Sequence, residues 1–121
     1  MAAKARPALD PVADLSRRLA RRQTTALRAC VLRWWTEHGL AEHPPAVGKR
    51  IALALLEHPH TDVKLAGIVV LHEQLADHLG ALDLVTFEPL FAGALADASV
   101  VDWFAIKVIG TMLLQIGRAH V

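Results

Sequence analysis

The sequence predicts an all-helical chain assembled from stacked helix pairs. Three observations lead there. Apolar residues recur at helical rather than strand spacing through most of the 121 residues. Gly and Pro fall between these segments more than inside them. A stretch of the second half also echoes an earlier one. At 54% hydrophobic and 21% charged residues, the composition is that of an ordered globular chain. A chain of this size buries roughly two thirds of the surface its unfolded form exposes, so it needs no disulfide staple. Residues 1–10 are expected to be a disordered N-terminus, and 11–115 a helical-repeat domain.

The first helical pattern starts at Pro11, whose fixed φ suits a first turn. It continues through Val12, Leu15, Leu19, Leu27, Cys30 and Trp34. Its second half reads equally well as a separate helix. Arg17, Arg21 and Arg28 fall on another face, with Arg18 and Arg22 beside them. Gly39 and Pro44-Pro45 close the segment. A helix from about Val47 to Glu57 follows and stops at His58-Pro59, because the residue before a proline disfavours helical backbone. Thr61 or His60 opens a third helix, with Thr61 a suitable N-cap for the run Val63 to His78, closed by Gly80. That run is apolar on most sides, which places it in the middle of a stack. A fourth helix spans about Val85 to Ala96. A fifth begins near Ala98 or Ser99 and runs through Leu114. Leu53, Leu56, Ile68, Leu71, Ile106 and Ile109 are the expected core, and Trp34, Trp35, Trp103 and Phe104 are read as packing residues.

The echo aligns AGIVVL at 66–71 with FAIKVI at 104–109, an offset of 38, each preceded by a polar turn and another apolar helix. A helix-pair period near 40 is the pattern of HEAT and armadillo stacks, where antiparallel pairs bury their apolar faces against neighbours in an α-α superhelix. The expected fold is a part of such a HEAT/armadillo-like repeat.

Charge and cysteine content narrow the function classes. The formal net charge is +1. Residues 1–33 nevertheless carry Lys4, Arg6, Arg17, Arg18, Arg21, Arg22, Arg28 and Arg33 against Asp10 and Asp14. This asymmetry is compatible with an anionic partner at that end, or with a solvated helix face. The single cysteine, Cys30, sits among apolar neighbours as a structural thiol, which fits a reducing, cytoplasmic setting. Glu88, Asp97, Asp102 and Lys107 interrupt the most apolar third, so no membrane span is expected. His72 and His78 are six apart, about 240° around a helix, and do not form a zinc pair. No metal, cofactor, phosphate-cradling loop or nucleophile elbow is expected, and the chain is read as a monomer.

One string carries chemistry: Ala98-Ser99-Val100-Val101-Asp102-Trp103-Phe104-Ala105-Ile106-Lys107-Val108-Ile109-Gly110. It resembles a helix of the HEAT-like DNA alkylation repair family that usually reads Trp, three residues, Asp. That helix often continues Trp-Phe, a small residue, then a basic residue, Val, a hydrophobe and Gly. DVKLAGIVVLHEQL at 62–75 resembles the preceding repeat, and together the likeness covers about 47–115. The resemblance implies a superhelix that cradles duplex DNA on a concave basic surface. It further implies that Asp102 assists glycosidic cleavage of a cationic N3- or N7-alkylated base, a DNA glycosylase activity. Arg17, Arg18, Arg21, Arg22 and Lys107 are the candidate phosphate contacts. A carboxylate about 4 Å from a developing sugar cation offers roughly 4 kcal/mol at an effective dielectric near 20. That corresponds to about a thousandfold in rate.

The chain departs from the pattern where Ala98 stands at the family's aromatic position. Trp103 projects about 100° from Asp102 and does not substitute for it. Asp102 has a structural reading too, since an acid early in a helix is favoured by the macrodipole. Residues 116–121, IGRAHV, are read as a non-native tail, with the natural protein expected to continue past Gln115. The leading expectation is therefore a fragment of a DNA-glycosylase-like repair protein. Its rival is a non-catalytic repeat module that binds DNA or protein.

Overall fold

The structure, a computed structural model, describes residues 10–21, 26–93 and 98–119. Only the backbone is described for Phe91, Ala92, Ala98, Ser99 and residues 115–119. No strand occurs among the described residues. Helix α1 (Pro11–Arg21) starts where Asp10 accepts the Val12 N–H on its carboxylate at 3.0 Å, with Pro11 in the first turn. Helix α2 (Leu27–Glu37) ends on Gly39, whose φ of 63° is left-handed backbone that a side chain would disfavour. Helix α3 (Pro45–Leu56) follows Pro44, and α4 (Thr61–Val69) widens into a π-helical segment, Val70–Gln74. Helix α5 (Ala81–Phe87) tightens into a 3-10 segment, Glu88–Ala92. The last rod is α6 (Ala98–Trp103), a second π-helical segment Phe104–Ile109, and α7 (Gly110–Ala119).

These elements group as three consecutive helix pairs among the described residues. The first helices begin at 11, 45 and 81, and the second at 27, 61 and 98, in steps of 34 to 37 residues. Between neighbouring pairs α1 packs on both α3 and α4, α2 on α4, and α4 on α6. Lys49 on α3 reaches Asp83 on α5 at 3.1 Å, completing the contact between the second and third pairs. Within the second pair, α3 and α4 lie antiparallel. Gly67 sits against Ala52 and Leu55, while Gly48 faces Leu75. The approach at Gly67 is close, since an added Cβ would stand 3.1 Å from the Ala52 carbonyl oxygen and Leu55 Cβ.

Helix α4 occupies the middle of this packing, as its all-round apolar character predicts. Val63, Ala66, Ile68, Val69, Val70 and Leu71 are buried. Lys64 is buried as well, and its Nζ donates to the Leu56 carbonyl at 3.1 Å, satisfying an orphan acceptor at the end of α3. Burial pushes the neighbouring His58 imidazole below its ordinary value of 6.5, with His60 and Lys64 adding to the shift. On the third pair, Phe104 meets Phe87 edge-on at 5.2 Å, and Val100, Val108 and Met112 complete the inner face.

Several expectations need correction. Ile106 is 70% exposed rather than core, and Leu53 and Ile109 are half-buried, whereas Leu56, Ile68 and Leu71 are buried as expected. Trp103 is 41% exposed. Of the two openings the sequence offers for α4, His60 holds the N-cap position, in extended backbone, and Thr61 is the first helical residue rather than a side-chain cap. The third run loses regular helical bonding after Val69, before the predicted His78. The fourth helix starts four residues earlier than expected, because Asp83 folds back to accept the Gly80 N–H at 2.8 Å.

Candidate nucleic-acid interface

The second helices of the three pairs, α2, α4 and the last rod, lie side by side and leave a groove of about 640 Å³ between them. Its walls are Leu27 and Arg28 from α2, Ile68, Val69, His72 and Glu73 from the second rod, and Trp103 and Lys107 from the third. Trp103 and Lys107 lie one turn apart, so the aromatic face and the ammonium share one side of the rod. Arg28 pairs with Glu73 across the groove, tying α2 to the second rod. Arg28 is itself largely exposed and retains donors for an occupant. The Glu73 carboxylate, bonded to it, raises its guanidinium above the ordinary value.

His72 is fixed by the last rod. Its Nδ1 lies 3.0 Å from the Lys107 carbonyl oxygen, which also accepts the Thr111 hydroxyl at 2.8 Å. A carbonyl only accepts, so the imidazole carries its proton on Nδ1, and in the neutral form Nε2 keeps a lone pair. Both partners belong to the π-helical segments, 70–74 and 104–109, which face each other here. Wide turns of this kind redirect side chains and carbonyls that a regular helix would aim elsewhere.

The predicted site residues separate in space. Lys107 lines the groove; Asp102 is exposed and is not among the lining residues. The side chain of Ala98 lies outside the described residues, as does all of Arg22. The other arginines belong to the first pair. Asp14, buried in α1, accepts Arg18 Nε at 3.0 Å and His38 Nε2 at 2.7 Å, with Arg17 at 3.7 Å. Arg18 also reaches Glu37 at 2.6 Å, and Trp34 Nε1 donates to the Pro11 carbonyl at 2.8 Å. The His38 hydrogen bond, followed by the Arg18 charge, holds the Asp14 carboxyl below its ordinary 3.8 against the opposing effect of burial. Arg18 therefore fastens α1 to α2. Arg21 and Arg33 line a shallower groove with Arg18, Cys30 and Glu37.

Arg28 and His72 are groove residues that the sequence reading did not assign to a binding site. They sit far from Lys107 in the chain and converge only when the pairs stack. No group of three metal-ligating side chains occurs among the described residues. None of their helices is long and apolar enough to cross a membrane. No sequence family, curated protein or solved structure matches the chain.

Proposed function

We propose that the chain is a HEAT-like repeat module of a DNA alkylation repair protein, and that the groove along its second helices faces duplex DNA. The observation that carries this reading is the convergence of Arg28, Lys107 and the half-exposed Trp103, from the first and third pairs, on one open groove. Steps of 34 to 37 residues and the packing of α2 on α4 and α4 on α6 support the repeat assignment. The two cations suit phosphates, and the indole face suits a base. With phosphate neutralisation as the main contribution, sequence preference is weak and affinity falls steeply with salt. A non-catalytic binding module is the second reading. It is favoured by the position of Asp102 outside the groove lining.

The experiment combines fluorescence anisotropy on a labelled duplex with release of an N-alkylated purine. Binding at low ionic strength should weaken linearly in log-log form as salt rises. Lys107→Ala and Arg28→Ala should each lower the slope by about 1. Absence of salt-dependent binding would remove the DNA reading. Asp102→Asn is measured in the same assays. If the carboxylate stabilises a sugar cation, base release drops by on the order of a hundredfold or more. Unchanged release assigns Asp102 to its helix start. No release from the parent protein under saturating binding leaves the non-catalytic module.

A further inference from the structure

We propose that the outward side of the third helix pair is a self-association surface, on which a second copy of the chain packs its own third pair about a two-fold axis to form a closed dimer. The proposal goes beyond the nucleic-acid reading and does not depend on it. A comparison of the second and last rods locates the surface. His72 bonds the Lys107 carbonyl, so its side of the second rod faces the last rod. Ile68, one turn earlier on that side, is fully buried. With the rods starting at 61 and 98, Ile68 and His72 correspond to Ala105 and Ile109. Ala105 is exposed and Ile109 half-buried, where Ile68 has the last rod against it. Ile106, beside Ala105, and Leu113, one turn past Ile109, are exposed as well. Helix α5 continues this face. Its Asp83 reaches back to Lys49 of the second pair, and Val85 lies about 200° around the helix from Asp83, on the side turned away. Val85 and Leu82, one turn before it, are both exposed. Both helices of the third pair therefore present apolar side chains outward, the kind of patch that marks an interaction surface.

The occupant follows from the other end of the stack. The groove on the first pair, lined by that pair alone, has Arg18, Arg21, Arg33 and Glu37 among its seven lining residues. Stacking this end of one copy on the third pair of another would take those charges out of water against apolar side chains, which is costly. Such head-to-tail contact would also generate an open row of copies. Two third pairs meeting about a two-fold axis instead cover apolar surface with apolar surface, and the assembly closes at two. Trp103, two residues before Ala105, points to the other side of the last rod, so the dimer leaves the groove between the second helices open.

The test is sedimentation velocity of the 121-residue chain over a wide concentration range, without nucleic acid. The mass should rise from one chain in dilute solution to two and stop there. Ile106→Lys and Leu113→Lys, and Val85→Lys on α5, each place a like charge on both copies of a two-fold interface. Each should weaken dimerisation by about tenfold or more. Because the three positions are exposed, the dilute variants should keep the helical circular dichroism of the parent. The pair Arg21→Ser and Arg33→Ser, at the opposite end, should leave the dimer intact. A mass of one chain at every concentration overturns the proposal and leaves the face to a further helix pair or a different partner. Growth beyond two copies, or loss of association in the Arg21→Ser and Arg33→Ser variant, overturns it in favour of head-to-tail stacking. A dimer that survives all three lysine substitutions overturns the assignment of this face.

Discussion

The rods at 61–74 and 98–119 share an apolar pattern at an offset of 37 residues but meet different surroundings. Val63 matches Val100, Leu71 matches Val108 and Leu75 matches Met112, and all six are buried. On another face the match breaks. Val69 is buried at 5% exposure, while its counterpart Ile106 is 70% exposed. The second rod has helix pairs on both sides, α2 on one and α6 on the other. Leu113 and Leu114 on the last rod, with Leu82 and Val85 on α5, are exposed like Ile106. Helical periodicity thus identifies the face that turns to the core, but burial of the flanking faces depends on neighbours that periodicity does not encode.

The largest effect expected from this difference lies at Leu71. It is fully buried at the centre of the stack, so Leu71→Ala should cost about 2–5 kcal/mol. For a domain of this size that lowers the thermal midpoint by roughly 4 °C or more per kcal/mol. Calorimetry checks it. A loss under about 1 kcal/mol would mean that the middle rod is not the shared core of all three pairs.

The same contrast explains what was legible in the sequence. Helix boundaries were readable wherever backbone chemistry is local. Pro11 begins α1, Gly39 and Pro44-Pro45 separate α2 from α3, and His58-Pro59 ends α3. Boundaries were misplaced where a side chain acts back on the chain. Asp83 bonding the Gly80 N–H opens α5 early, and no propensity at Val85 reveals that. The two π-helical segments were not readable, because wide turns arise from packing rather than composition. At the candidate site, Lys107 was found through its motif. Arg28 was visible only as one of many N-terminal arginines, and His72 only as a failed zinc ligand. Their role depends on three second helices lying side by side, a tertiary fact. A cue did exist, since Arg28 and His72 both lie on second helices of consecutive pairs.

The first pair offers a further contrast, because a cluster of charged side chains, Asp14, Arg18, His38 and Glu37, fastens its two helices. Asp14 bonds both Arg18 and His38 while buried, so Asp14→Asn should cost about 1–3 kcal/mol at neutral pH by weakening two charge-assisted bonds. The acid dependence follows from the depressed carboxyl. The folded protein holds this proton less readily than the unfolded chain. The stabilisation is therefore complete above the ordinary 3.8 and is lost as pH falls below it, through the lower folded value. Urea unfolding of parent and variant as a function of pH reads both features. The two stability curves should converge in acid, and a constant gap at every pH would remove Asp14 from the linkage.

The smallest effect is expected at Ile106, and it tests the comparison most directly. Ile106→Ser removes an apolar side chain that is 70% exposed, so in the isolated chain the stability change should stay within about 0.5 kcal/mol. The equivalent change at Val69, its buried counterpart in the middle rod, should cost several times more, because it introduces a hydroxyl beside α6 and removes packed methyls. Thermal midpoints of both variants, taken across a range of protein concentrations, distinguish two causes of any departure. If Ile106→Ser destabilises as strongly as Val69→Ser at every concentration, the face is buried within the chain itself, and the two rods are equivalent after all. If its cost grows with concentration while that of Val69→Ser does not, the face is covered by another copy, since only association makes the midpoint depend on protein concentration. A small and concentration-independent effect leaves Ile106 as an open counterpart of Val69, with the difference set by neighbours rather than by sequence.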